Sequence, residues 1–195
     1  MADTDVLLVR HPETQANVEG RFVGRGDSPL TERGERQLAA LTERIVRFAP
    51  DVVWTSPLKR ARIVAARAGG VSGVCVREDD RLVELDFGVA EGMTWDEIVE
   101  AGLAFDYRSA ERPVARGGES RHEIEDRAGA FSDSLLALGG RHAVCTHGGV
   151  FRAMLVRLLG LCSTDIWAFH IRNGAIAHVC VRDGHGMVEE FRVLG

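Results

Sequence analysis

Two short apolar runs that each end in a histidine constrain the fold of this chain more than any other feature. Residues 6–9 (VLLV) lead into Arg10 and His11, and residues 143–146 (AVCT) lead into His147. Runs of this length, bounded by polar or turn-forming residues, are typical of short buried strands. In open α/β sheets, ligands bind where such strands end. The pattern therefore predicts an α/β protein in which two strand ends carry histidine side chains.

The remaining elements alternate between helix and strand patterns. Apolar periodicity predicts helices over 31–48, 58–68 and from 148 to 159, strands at 51–55 and 74–76, and a hairpin formed by 175–181 and 188–194. We predict Ser56 as the N-cap of the second helix and Gly69-Gly70 as its end. Capping-box spacing, Thr94 with Glu97 and Ser120 with Glu123, precedes two further helices. This order favours a three-layer sandwich, with helices on both faces of a mixed, mostly parallel sheet.

Composition limits the classes of function. With 195 residues, 45% of them hydrophobic, the chain is long enough for one domain spanning 1–195. A formal net charge of -5 argues against a broad surface for nucleic acid or anionic membrane. The start of the chain lacks the pattern of a signal peptide, so we expect a cytoplasmic protein. The four cysteines stand among apolar neighbours without CxxC spacing, which favours buried, reduced thiols.

The histidines and two arginines fit the requirements of phosphoryl transfer, provided that the strand ends share one edge of the sheet. Such a reaction needs a nucleophile and donors for the equatorial oxygens of the phosphoryl group. His11 would attack phosphorus as a neutral imidazole. Arg10, Arg62 on the second helix, and His147 would hold the three oxygens as negative charge spreads over them.

The leaving oxygen also needs a proton donor, and Glu84, after the short run at 82–83, is the candidate. Asn17 and the backbone near Gly148, at a helix N-terminus, would add neutral donors. A rival interpretation takes His11, His147 and Glu84 as a two-histidine, one-carboxylate metal site. Arg10 and Arg62 argue against it, since guanidinium groups repel a divalent cation but stabilise a phosphate dianion.

Six segments in register resemble the histidine phosphatase superfamily, in the branch that also contains the cofactor-dependent phosphoglycerate mutases. RHPETQAN resembles the signature RHGETxxN, SPLKRARIVA resembles SxLxRAxxTA, and LVELDFGVAEG resembles LxExxFGxWEG. GRGDSPLTERGERQ, GGES and THGG, followed by Asn173, complete the series in family order.

The resemblance implies a phosphoglycerate mutase-like fold with no metal and no cofactor. It implies that His11 is the phosphohistidine nucleophile and that Arg10, Arg62 and His147 form the phosphate pocket. Glu84 becomes the proton donor and acceptor, and Asn17, Gly24 and Gly148 become substrate-binding residues. The chain departs from the family at Pro12, where glycine is usual, at Val64, where threonine is common, and at Ala90, where tryptophan is common. We expect Val64 to affect packing and Ala90 to reshape the substrate mouth.

The roof that covers the pocket in this family corresponds to residues of about 93–118. It is short here and holds Phe105, Tyr107, Arg108, Arg112 and Arg116. A mutase keeps water out of a closed cationic pocket, whereas a phosphatase admits water. We therefore predict a phosphatase for a small phosphorylated metabolite, closest in layout to α-ribazole phosphatase or to the broad-specificity phosphatases. A phosphoglycerate mutase and a non-catalytic sensor of phosphorylated ligands are the alternatives, and a homodimer is left open.

Overall fold

The computed structural model describes residues 3–103 and 109–195 and contains one mixed sheet of six strands. The strands are β1 (Thr4–Arg10), β2 (Val52–Thr55), β3 (Cys75–Glu78), β4 (Gly140–Thr146), β5 (Ala175–Arg182) and β6 (His185–Val193). Their order across the sheet is β3-β2-β4-β1-β5-β6. The pairs β3/β2, β2/β4 and β4/β1 are parallel, and β5 is antiparallel to β1. The predicted α/β fold with a mostly parallel mixed sheet is confirmed.

Helices cover both faces of the sheet, because the central strands carry apolar side chains on both faces. They are α1 (Gln15–Val18), α2 (Glu32–Phe48), α3 (Lys59–Ser72), α4 (Trp95–Glu100), α5 (Arg121–Leu138) and α6 (Gly148–Leu159). Along β1, Val6 and Leu8 pack in one core with α5 and α6, while Leu7 and Val9 pack in the other with α2 and α3. The alternation of side chains along a strand thus joins two separate cores through one central strand.

Local signals in the sequence set most helix starts. Thr31 caps α2 by accepting a hydrogen bond from the Gly34 amide, and both predicted capping boxes form, at α4 and at α5. The predicted hairpin closes more tightly than expected. Asp183 and Gly184 both have positive φ, 50° and 79°, as a two-residue hairpin turn requires.

The prediction for α3 was wrong at both ends. The helix continues through Gly69 and Gly70 to Ser72 and ends at Gly73, where the backbone turns left-handed with φ of 73°. Gly69 is helical and lies against Val76, where a Cβ would come within 2.5 Å of the valine side chain, so the glycine here serves close packing and does not end the helix. At the other end Leu58, and not Ser56, occupies the N-cap position.

The expectation for the cysteines has a mixed outcome. All four cysteines are free, but only Cys145 and Cys180 are buried, whereas Cys75 and Cys162 are exposed, contrary to the prediction.

Within residues 3–103 and 109–195, every helix is too short or too polar to span a bilayer.

Candidate active site

The register of the central strands brings the two predicted histidines together. Arg10 on β1 pairs with Thr146 on β4, and the His11 amide donates to the Thr146 carbonyl at 3.0 Å. The next residue on each strand is a histidine, and the two ring centroids lie 5.2 Å apart. Both side chains are buried, with 3% of His11 and none of His147 exposed. The expectation that the strand ends share one edge is therefore confirmed.

The tautomer of His11 follows from its hydrogen bond to the backbone. Its Nδ1 lies 2.7 Å from the carbonyl oxygen of Pro12, which only accepts, so Nδ1 carries the hydrogen and Nε2 keeps the lone pair. Burial, with the charges of Arg10 and Arg60, holds the pKa of His11 well below its ordinary value of 6.5. The imidazole is therefore neutral and nucleophilic at Nε2. Proline at position 12 is compatible with this arrangement, since the contact uses the carbonyl and not the missing amide hydrogen.

His147 and Arg10 each present a buried nitrogen that has no hydrogen-bond partner in the described part of the chain. His147 Nε2 lies 2.8 Å from the Ser56 hydroxyl, and its Nδ1 has no hydrogen-bond partner among the described residues. Nε of Arg10 is unpartnered over the same part of the chain, although its Nη1 donates to the Ile171 carbonyl. A buried polar group without a partner is costly. These two nitrogens are consequently suited to an anionic ligand.

The arginine that α3 contributes is Arg60, and the prediction of Arg62 is corrected. Arg62 has 47% of its side chain exposed and pairs with Glu78 at 3.7 Å. Arg60 is only 4% exposed, and its charge lowers the pKa of both His11 and His147. Its guanidinium donates to the carbonyls of Val23, Gly24 and Gly26, which fixes it beneath that loop.

Two signals in the sequence identify Arg60. The spacing S-x-L-x-R, counted from Ser56, places the arginine at position 60. Arg60 also lies four residues before Val64 and eight before Ala68, and both are fully buried on α3. Residues four apart share a helix face, so Arg60 faces the core and Arg62 faces solvent.

Glu84 lies at the N-terminus of α6. The Gly149 amide donates to both carboxylate oxygens at 3.1 and 3.2 Å, and the Leu85 amide donates to Oε1 at 2.9 Å. The contact is close, since a Cβ on Gly149 would lie 2.5 Å from Glu84 Oε1. The positive charges of Arg10 and Arg60 act on the same carboxylate. Glu84 is thus held beside the pocket, as a proton donor and acceptor must be.

A partly buried ion pair supports the segment that carries Glu84. Arg127 on α5 donates to the carbonyls of Arg81 and Val83 at 2.7 and 2.5 Å. Its other nitrogens bind the Glu119 carboxylate at 2.6 and 2.8 Å, and the Glu119 amide donates to the Asp86 carbonyl. The residues on both sides of Glu84 are therefore attached to α5, a role that the sequence did not reveal.

The three predicted substrate-binding residues differ in their surroundings. Asn17 lines the cavity and accepts hydrogen bonds at Oδ1 from Thr14 and Asn173, so its amide NH₂ is left for a ligand. Gly148 also lines the cavity, against the Arg10 guanidinium. Gly24 does not offer its amide, which donates to Glu91.

Comparison with known proteins decides the family. The model of the histidine phosphatase superfamily, branch 1, matches residues 6–193. The chain belongs to the histidine phosphatase superfamily. Phosphoserine phosphatase 1 of Hydrogenobacter thermophilus is 29% identical to this histidine phosphatase over 196 residues, covering 96% of this chain and 92% of the relative. A probable phosphoglycerate mutase of Salmonella paratyphi C is 33% identical over 179 residues, covering 89% of this chain and 83% of the relative.

A solved structure extends the likeness to three dimensions. A mycobacterial glucosyl-3-phosphoglycerate phosphatase, complexed with VO3, superposes with a TM-score of 0.86 at 25% identity. The match covers 97% of this chain and 99% of that one. The family and its named phosphatases identify the activity of this histidine phosphatase as hydrolysis of phosphoric monoesters.

A cavity of about 490 Å³ adjoins the site of this histidine phosphatase. Its wall includes Arg10, Asn17, Glu84 and Gly148, whereas His11, His147 and Arg60 are not part of the described wall. Apolar side chains form most of its described wall: Phe22, Phe87, Trp95, Ile124, Ile166 and Trp167. From the predicted roof at 93–118, Trp95, Ser109 and Val114 line the cavity, while Arg112 and Arg116 are exposed. Phe105, Tyr107 and Arg108 lie outside the described residues.

Two of the departures from the family pattern have structural outcomes. Val64 is fully buried in the core between α2, α3 and the sheet, as predicted. Ala90 is fully buried in a short 3₁₀ turn and is not part of the described cavity wall. Ala90 itself therefore contributes no surface to the described mouth, and the effect of the missing tryptophan stays a prediction.

A group of metal-ligating side chains occurs elsewhere in this histidine phosphatase. Asp5, His178 and Cys180 bring one ligand atom each within 4.8 Å of one another at the opposite end of β1. Asp5 Oδ1 accepts from Cys180 Sγ at 2.8 Å, and its Oδ2 accepts from Arg182 at 2.8 Å. The paired Arg182 makes this cluster a hydrogen-bonded ion pair that joins β1 to β5. Over the described residues, His11, His147 and Glu84 do not form such a group.

Proposed function

We propose that this protein hydrolyses small phosphate monoesters through a covalent phosphohistidine on His11. The observation that carries the proposal is the cluster at the two strand ends. There, a neutral imidazole with its lone pair on Nε2 lies beside buried nitrogens of Arg10 and His147 that no described residue contacts by a hydrogen bond. Together with the positive charge of Arg60, these groups match a phosphoryl group with three anionic oxygens.

The proposed reaction has two steps. In the first, His11 Nε2 attacks phosphorus and the bond to the ester oxygen breaks, while protonated Glu84 gives its proton to the leaving alcohol. In the second, the Glu84 carboxylate takes a proton from a water molecule whose oxygen attacks the phosphohistidine. Inorganic phosphate leaves, and His11 and protonated Glu84 are restored.

The nature of the acceptor separates a phosphatase from a mutase. Transfer to a second substrate requires exclusion of water, whereas hydrolysis requires that water reach the phosphohistidine. The short roof and the partly open cavity support hydrolysis. The relatives carry both names, since one is a phosphoserine phosphatase and another a probable phosphoglycerate mutase. Phosphoglycerate mutase therefore remains the second candidate.

Rapid-quench experiments with ³²P-labelled substrates test the proposal. We expect an acid-labile, alkali-stable label on the protein that turns over to inorganic phosphate. The His11→Ala variant should lose both label and turnover, whereas the His122→Ala variant, changed at an exposed histidine, should retain them. Turnover by the His11→Ala variant at the wild-type rate would refute the mechanism.

A substrate screen then separates the candidate functions. It includes α-ribazole phosphate and 3-phosphoglycerate, the latter with and without bisphosphoglycerate. Phosphate release without bisphosphoglycerate supports hydrolysis. Isomerisation of phosphoglycerate that depends on bisphosphoglycerate would establish the mutase instead, and a stable label without turnover would establish a sensor.

A further inference from the structure

The charge on Arg152 is not used by the reaction at His11. Arg152 belongs to α6, one helical turn after Gly148, and lines the same cavity. Burial lowers its pKa, and the nearby Glu84 charge opposes that shift. A partly buried guanidinium is expensive to keep unless it gains an anionic partner.

The four arginines on the described wall of the cavity differ in their pairing. Arg21 is neutralised by Glu19 and Glu97 at 2.8 and 3.0 Å. Arg121 is neutralised by Glu125 at 2.6 Å. Arg10 and Arg152 have no carboxylate within ion-pair distance among residues 3–103 and 109–195. Since Arg10 belongs to the phosphate pocket, Arg152 is the remaining cation for a second anionic group.

The position of Arg152 is fixed by its surroundings. Its Nε donates to the Phe169 carbonyl at 3.0 Å, and its guanidinium lies 5.8 Å from the centre of the Trp167 ring. Its terminal nitrogens make no hydrogen bond to the described part of the chain. Anchored at Nε and flanked by an aromatic ring, the guanidinium is held ready for a planar anion.

The geometry points to Arg152 as the residue that selects phosphate monoesters carrying a carboxylate on the same small molecule. This inference rests on the proposed function. Gly148 lies against Arg10 in the phosphate pocket, and Arg152 follows one helical turn later on the wall of the same cavity. A small acid that carries its phosphate and its carboxylate a few bonds apart would meet both cations within that cavity. One guanidinium balances one carboxylate, whereas a second phosphate dianion would need more charge.

Matched substrate pairs test the inference. O-phosphoserine is compared with O-phosphoethanolamine, and 3-phosphoglycerate with glycerol 3-phosphate, because each pair differs chiefly in the carboxylate. We expect a higher kcat/KM for the acid in the wild type. Arg152→Gln should lower the ratio of acid to neutral kcat/KM by about 10- to 100-fold, as expected for the loss of a charge-assisted pair. Arg152→Lys should restore part of the ratio, and Arg152→Glu should favour phosphoethanolamine.

Arg21→Gln is the matched control, since Arg21 lines the same cavity but is already paired with Glu19 and Glu97, and it should leave the ratio near the wild-type value. Equal ratios in the wild type and in Arg152→Gln would overturn the inference. The inference would also be overturned if kcat/KM fell equally for acid and neutral esters and fell more for leaving groups of higher pKa, because Arg152 would then act through Glu84. Absence of phosphohistidine in the wild type would instead refute the proposed function. Melting temperatures identify any variant that fails to fold.

Discussion

Gly149→Ala offers a direct test of the position of Glu84. A methyl group at residue 149 would lie 2.5 Å from Glu84 Oε1 and 2.9 Å from the Cδ1 atom of Ile124. The isoleucine methyl can rotate aside, but the carboxylate is held by two amides and must retreat. An ordinary contact needs about 3.4 Å, so the carboxylate moves by about 1 Å and loses its hydrogen bonds from the Gly149 amide.

The expected loss follows from that displacement. A misplacement of about 1 Å of a catalytic group costs about 10²-fold in rate, which corresponds to about 2.7 kcal/mol of transition-state stabilisation. The cost falls on protonation of the leaving oxygen, because Glu84 acts there. Alkyl phosphates, whose leaving groups need a proton, should lose about 10²-fold in kcat/KM. p-Nitrophenyl phosphate, with a good leaving group, should lose only severalfold.

Steady-state kinetics across phosphate esters of increasing leaving-group pKa measure this difference. Gly129→Ala on α5 is the control, because a Cβ at Gly129 meets no atom within 4 Å and alanine favours a helix. A second control is the double variant Gly149→Ala/Glu84→Gln. Its kcat/KM should be little lower than that of Glu84→Gln alone. Equal losses on alkyl and aryl esters, or a full loss added to Glu84→Gln, would refute this account of Glu84.

Two further predictions concern charge. Arg60→Gln should lower kcat/KM by about 10²- to 10³-fold, while Arg62→Gln, at an exposed residue paired with Glu78, should change it by less than about twofold. Removing the Arg60 charge also raises the pKa of His11, so the imidazole becomes protonated at a higher pH. As the pH is lowered, the activity of the variant should therefore begin to fall at a higher pH than that of the wild type, as a pH profile of kcat/KM would show. For Asp5, burial opposes ionisation, but hydrogen bonds from Cys180, Arg182 and His178 lower its pKa from 3.8 to about 2. Its contribution to stability is present above pH 3.8 and lost as the pH falls towards 2. Asp5→Asn should therefore cost about 1 kcal/mol at pH 7, allowing for solvent screening, and urea unfolding at pH 2.5 should show little difference from the wild type.

Local chemistry allowed the sequence to predict much of the fold. Apolar runs, the capping boxes at Thr94 and Ser120, and the turn residues near Asp183 act within a few residues of chain, so their structural outcome can be anticipated. The same holds for His11 and His147, because a strand that ends at the ligand edge of a parallel sheet places its last residues there.

The tertiary structure decided which partner each charged group meets. The register of β1 against β4 sets the 5.2 Å spacing of the histidine rings, and this depends on residues far apart in the chain. Arg60 and Arg62 have the same chemistry, and they differ because the face of α3 that packs on the sheet buries one and exposes the other. That Arg152 has no carboxylate partner among residues 3–103 and 109–195 likewise becomes visible only in three dimensions, because it depends on where the described carboxylates lie. Sequence thus determined the reactive groups and their strands, while packing determined their protonation, pairing and reach.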